Sequence, residues 1–131
     1  MNVLVIGDVH GCYYTLRQLL KMHWNPDTTQ LVQVGDLVNK GLHTGKCIRY
    51  WKKLETRHPG KVFLIRGNHE QFLIDAYNQN KTNKTVESFS RSCDKATIIA
   101  ADAIAWLKTK PLSWQNSEIF VTHAGISARC S

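Results

Sequence analysis

Four short polar clusters carry most of the residues able to do chemistry, and each follows an apolar run of β type. They are Gly7-Asp8-Val9-His10-Gly11, Gly35-Asp36-Leu37-Val38-Asn39-Lys40-Gly41, Gly67-Asn68-His69-Glu70 and Thr122-His123-Ala124-Gly125. Asp8 with His10 offers a carboxylate and an imidazole, a pair suited to a divalent metal. Asp36 repeats the placement one unit later, and a carboxylate can bridge two metals about 3.5–4 Å apart. Asn68 adds a neutral oxygen and His123 a second imidazole. His69 is placed to protonate a leaving alkoxide as general acid. Lys40 can hold a phosphate as a point charge. Taken singly, each has a plainer reading: a turn aspartate, a loop amide, a core histidine, a solvated lysine. Four matched clusters in succession are what favour one shared site. Glu70 reads as support for a ligand or as an acid at a helix N-terminus, and Arg66 as half of a structural ion pair.

The elements that must position these clusters can be read from hydrophobic spacing. Val3 to Ile6, Leu31 to Val34, Val62 to Ile65 and Glu118 to Val121 read as strands. Helical spacing links Cys12 with Leu16, Leu20 and His23, and Cys47 with Trp51 and Leu54, with Thr44 as N-cap. It recurs over Phe72 to Tyr77 and over Ile98 to Trp106. The polar stretch from Asn78 to Ser92 reads as a mobile loop at the rim of the site. Strands alternating with helices predict an α/β fold with βαβ units and a parallel sheet. In such sheets ligands lie beyond the carboxyl ends of the strands, which is where the clusters fall.

A chain of 131 residues suits one domain spanning residues 1–131. Its formal net charge of +7 suits phosphorylated or polyanionic partners, or simply solvated helix faces. Much of the excess lies between Lys46 and Lys61, without the aromatic interleaving of a nucleic-acid-binding pattern. Cys12, Cys47, Cys93 and Cys130 form no C-x-x-C pair and are expected to be reduced, with Cys12 and Cys47 packed on helix faces. The sequons at Asn80 and Asn83 carry no weight without secretion. No run of about 18 apolar residues predicts a membrane span, and the first apolar run is too short for a signal peptide. The expectation is a cytoplasmic protein.

The motif order Gly-Asp-x-His-Gly, Gly-Asp-x-Val-x-x-Gly, Gly-Asn-His-Glu and His-Ala-Gly resembles the calcineurin-like metallophosphoesterases. Within them it is similar to the phosphoprotein phosphatase branch, with its bacterial Ser/Thr phosphatases and symmetrical diadenosine tetraphosphate hydrolases. The resemblance runs from Val3 to Ile126. It implies that the chain forms about the first half of an αββα sandwich. It implies that Asp8, His10 and Asp36 hold one metal, and Asp36, Asn68 and His123 a second. Manganese is the expected metal, with iron, zinc, nickel and cobalt as other candidates. His69 would be the general acid, with Asn39 beside it as the residue orienting it, and Lys40 and Asn68 would bind substrate.

Two departures bear on function. Asn39-Lys40 stands where family phosphatases carry Asp-Arg, which weakens the orienting charge on the catalytic histidine and the grip on phosphate. That pair and His123-Ala124-Gly125-Ile126 resemble the tetraphosphatase relatives, whereas Leu64-Ile65-Arg66-Gly67-Asn68-His69-Glu70 looks like the protein phosphatases. The chain also stops before the family's second sheet and last Gly-His motif. It therefore reads as C-terminally truncated, with an exposed apolar sheet face and a weak second metal site. The favoured function is metal-dependent hydrolysis of phosphate monoesters of the Ser/Thr phosphatase kind, on a phosphorylated protein. The alternatives are dinucleoside tetraphosphate hydrolysis and an inactive metal- or phosphate-binding fragment. A nucleic-acid-binding module rests on charge alone and ranks last.

Overall fold

The computed structural model describes residues 2–39, 43–79 and 83–123. Three strands form a parallel sheet in the order β1-β2-β3: β1 is Asn2–Ile6, β2 is Thr29–Gln33 and β3 is Val62–Leu64. Helix α1 (Tyr13–His23) connects the first two strands, and α2 (Thr44–Arg57) connects the next two. The order increases monotonically, so two right-handed crossovers place both helices on one face. Helices α3 (Asn68–Gln79), α4 (Lys84–Lys95) and α5 (Ala100–Lys108) join the same layer.

Alternation along the strands divides the apolar residues between two faces. Ile6, Leu31, Val62 and Leu64 point into the helix layer, where they share one core with Leu16, Trp51, Leu73, Phe89 and Leu107. Val32 and Ile65 point the other way, with Val3, Val34 and Phe63 beside them. Among the described residues, that second face is covered by a short antiparallel hairpin of β4 (Ser113–Gln115) and β5 (Phe120–Thr122), through Trp114 and Val121. On that face Val5 stays 44% exposed, whereas Val32 and Ile65 are fully buried beneath the hairpin.

Four expectations need correction. The polar stretch from Asn78 to Ser92 is largely helix: α3 runs to Gln79, and Asn83 caps α4 by accepting from Thr85 N–H at 2.7 Å. Its apolar stripe is only Val86, Phe89 and Cys93, all buried, so polar composition hid a helical period. The last strand does not extend the parallel sheet; it pairs with β4, which the sequence reading missed. The turn is fixed by the Asn116 side chain, which accepts from the N–H groups of Glu118 and Ile119. Cys12 is exposed at the N-cap of α1, although Cys47 and Cys93 are buried. Burial pushes those two thiols up to about 12 and about 11. Thr44 is the first residue of α2 rather than its N-cap, which is His43. Cys130 and the sequon at Asn80 lie outside the described residues. None of the described helices is long and apolar enough to cross a membrane.

Candidate metal centre

The polar clusters converge at the carboxyl ends of β1, β2 and β3, and backbone contacts stitch them together. Val9 and His10 donate their N–H groups to the Asp36 carbonyl at 3.1 and 2.9 Å, and Gly11 donates to the Leu37 carbonyl at 2.8 Å. This geometry requires left-handed backbone at His10 (φ +48°), Asp36 (φ +57°) and Asn39 (φ +67°). Such torsions are costly for residues other than glycine and concentrate at functional sites. The third cluster approaches so closely that Gly35 and Gly67 leave no room for a side chain. A Cβ on Gly35 would sit 2.7 Å from Gly67 Cα, and one on Gly67 would sit 2.6 Å from the Asp36 amide nitrogen.

Two buried polar side chains hold this junction, and the sequence reading assigned only one of them a supporting role. Glu70, fully buried, accepts from the N–H groups of Asp36 and Gly67 at 2.7 Å each and of Val38 at 3.2 Å. Burial pushes its carboxyl above the ordinary glutamate range. The three backbone bonds pull it down, and the neighbouring Asp36 charge pushes it up again. Gln33, also fully buried, was missed. Its Nε2 donates to the carbonyls of Gly7 (2.9 Å) and Gly35 (2.7 Å), while Oε1 accepts from Gly35 N–H at 2.7 Å. Its signal is a glutamine inside an apolar strand run, which a buried backbone bracket explains.

Asp36 is the centre of the cluster. It is buried, and its Oδ1 accepts from the His69 backbone N–H at 2.8 Å. Its Oδ2 lies 3.0 Å from His123 Nε2 and 3.9 Å from His10 Nε2, and His10 Nε2 lies 3.5 Å from Asp8 Oδ2. Both histidines are oriented from behind: His123 Nδ1 lies 2.9 Å from the Val34 carbonyl, and His10 Nδ1 lies 3.2 Å from the Val38 carbonyl. A carbonyl only accepts, so each Nδ1 carries a proton, which in the neutral imidazole leaves the Nε2 lone pair facing carboxylate oxygen. Lone pairs facing carboxylate at these distances repel unless a proton or a metal cation lies between them. A backbone partner on the second ring nitrogen is also what metal-binding histidines employ. The residues present therefore fit a divalent cation.

Donor atoms gather into two groups that share Asp36. One is Asp8, Asp36 and His123; the other is His10, Asp36 and His69, each with its ligand atoms within 4.8 Å of one another. His69 thus stands beside the metal-ligand candidates, with its ring edge-on to His10 at 4.7 Å between centroids. Asn68 opens α3 and is exposed. Asn39 donates from Nδ2 to the His69 backbone carbonyl at 3.3 Å, and its own N–H is held by Thr44 Oγ1 at 3.2 Å. Arg66 makes no ion pair among the described residues; its guanidinium donates to the Lys108 carbonyl at 3.3 Å. Lys40 and Ala124-Gly125-Ile126 lie outside the described residues.

Comparison with known proteins agrees with this geometry. The family profile of the calcineurin-like phosphoesterases matches residues 1–131. A symmetrical bis(5'-nucleosyl)-tetraphosphatase of Erwinia tasmaniensis is 34% identical over 130 residues, covering 97% of this chain and 45% of that protein. A PP2A-like serine/threonine-protein phosphatase of Candida albicans is 33% identical over 129 residues, covering 98% of this chain and 30% of that one. Among solved structures, one provisionally described as a diadenosine tetraphosphatase superposes with a TM-score of 0.70 at 28% identity, over 95% of this chain and 50% of that one. A protein serine/threonine phosphatase of Saccharomyces cerevisiae superposes with a TM-score of 0.65 at 24% identity, over 85% of this chain and 33% of that one, a likeness of fold alone. The chain spans about half the length of the tetraphosphatases it matches, or less than half. With the motif clusters, the sheet and the converging donors in agreement, the chain belongs to the calcineurin-like phosphoesterases.

Proposed function

We propose that this chain carries the metal centre of a phosphoesterase that hydrolyses phosphate esters. The observation supporting it most directly is the pair of histidine Nε2 atoms, on His10 and His123, turned toward one buried aspartate oxygen. Asp8, His10, Asp36 and His123 would hold divalent metal, with Asn68 as a further oxygen ligand. Bound there, the metal would supply Lewis-acid chemistry, polarising a phosphoryl group and acidifying water. The chain's own residues do the rest. Asp36 fixes the spacing of the two ligand groups. Glu70 and Gln33 hold the loops rigid, so little reorganisation accompanies reaction. His69 stands at the rim of the cluster as the general acid that protonates the leaving oxygen. Asn39 anchors His69 by its backbone carbonyl and leaves the ring without a carboxylate partner from that position. Lys40 would bind a substrate phosphate.

For substrate, the Ser/Thr phosphatase reading rests on the Leu64–Glu70 segment and the dinucleoside tetraphosphate reading on Asn39-Lys40. Relatives named for each activity match at nearly equal identity. Comparing a phosphopeptide with diadenosine tetraphosphate separates them. The reading common to both is tested by manganese-dependent hydrolysis of p-nitrophenyl phosphate. We expect turnover by the wild type and a loss of at least about a thousandfold in Asp36→Asn. Equal rates in the two proteins would overturn the proposed centre. A folded, metal-loaded wild type without turnover would leave a binding-only chain.

A further inference from the structure

A second cleft lies along the outer groove between α1 and α2, with a volume of about 560 Å³. Its rim carries four cations: Arg17 and Lys21 from α1, and Lys53 and Arg57 from α2. No carboxylate lines it, and none of the four forms an ion pair among the described residues. The only acid on either helix, Glu55, points away and binds Lys110 at 2.6 Å and Trp106 Nε1 at 3.0 Å. Like charges gathered without counter-charge repel one another, and an anion in the cleft relieves that repulsion.

The cleft also contains aromatic surface. Tyr13 and Tyr50, both lining it, meet edge-to-face at 5.7 Å between centroids, and Trp24 also lines it. Tyr13 and Trp24 stand at the two ends of α1 and Tyr50 on α2, so each helix brings both rings and cations to the cleft. Arg17 reaches the Tyr13 hydroxyl at 3.5 Å. All three rings are half-buried against the core, and cations beside such partly open ring surface suit a ligand that has both phosphates and a heteroaromatic base. The volume falls within the range of small-molecule sites rather than that of an extended strand groove.

The cleft is separate from the metal centre. Helix α1 starts beside the His10-Gly11 loop and runs about 16 Å away from it before reaching Trp24. Arg57 lies at the far end of α2.

We propose that the α1–α2 cleft is a binding site for a nucleoside polyphosphate, independent of metal at the Asp36 centre. Its phosphates lie among Arg17, Lys21, Lys53 and Arg57, and its base lies against Tyr13, Tyr50 and Trp24. This assignment does not depend on what the metal centre hydrolyses.

The test is calorimetric titration of ATP into the chain in EDTA, which removes metal and stops turnover. Saturable binding is expected, weakened at least about tenfold in Lys53→Glu/Arg57→Glu and to a lesser extent in Arg17→Ala. All three substitutions fall on exposed residues, and circular dichroism is the check that the variants keep their fold. Asp36→Asn is expected to leave ATP binding unchanged. Adenosine alone and tripolyphosphate alone should each bind more weakly than ATP. The proposal is overturned if binding vanishes in EDTA, follows Asp36→Asn, or survives the charge reversal. It is also overturned if oligothymidylate binds far more tightly than ATP, which would make the cleft a nucleic-acid groove.

Discussion

The loop end of the sheet and the helix layer beneath it are built on opposite principles. The helix layer is ordinary packing: Trp51, Leu73 and Leu107 are completely or almost completely buried, and α4 packs closely enough on α2 that Ser92 Oγ accepts from Gly45 N–H at 3.1 Å. Three of the four described non-glycine residues with positive φ, by contrast, lie in the loops: His10, Asp36 and Asn39. There the stabilising contacts are hydrogen bonds from Gln33 and Glu70 to backbone groups. Left-handed backbone and buried carboxylates oppose folding; apolar burial favours it. The layer therefore supplies the stability on which a strained, charged loop cluster depends, as expected when a site is set on a rigid scaffold.

That contrast makes stability and metal affinity separable. The largest effect on stability should come from the layer. Leu73→Ala is expected to lower unfolding free energy by about 2–5 kcal/mol, through lost burial and a residual cavity. In the fraction that stays folded, metal affinity should hold within about twofold. Urea melts with and without manganese check both parts, and a large loss of affinity would show that the two regions are not independent. A smaller stability effect with a larger functional one is expected from Glu70→Gln. The amide keeps the volume but turns an NH₂ toward N–H donors, at a cost of about 1–3 kcal/mol. The loops of Asp36 and Gly67 should then loosen, and manganese affinity should fall roughly tenfold or more. Unchanged affinity in Glu70→Gln would mean that the ligands hold their geometry without this bracket.

How far the sequence foretold this depends on how local each interaction is. The convergence of Asp8, His10 and Asp36 was legible because each follows a strand of the parallel sheet, and parallel strands deliver their ends to one edge; His123 reaches the same place from β5 of the hairpin, outside that sheet. The pairing of Gln33 with Gly7, and of Glu70 with Asp36 and Val38, was not legible, because those bonds join residues far apart in the chain. The resemblance implied Asp8, His10 and Asp36 around one metal and His69 as the acid, and the proximity of the His69 ring to His10 and Asp36 adds a geometric detail that spacing alone does not carry. Helix α4 escaped notice because a narrow apolar stripe among Lys, Glu, Ser and Arg resembles a polar loop in composition. Strand β4 escaped because three residues carry little periodic signal, so the last strand, read over Glu118 to Val121, was left without its hairpin partner. Arg66 was expected to find a carboxylate, and instead it reaches the carbonyl of Lys108, at the C-terminal end of α5.

The central claim is that His10 and His123 meet at Asp36 across a metal cation. Titration of manganese into the metal-free chain, read by electron paramagnetic resonance, tests it directly. The wild type should take up one ion well below millimolar and any second ion more weakly. Asp36→Asn should lose at least about a hundredfold in the first affinity while keeping its fold. Tight uptake that is unchanged in Asp36→Asn, or in His123→Ala, would contradict the account and place the metal elsewhere.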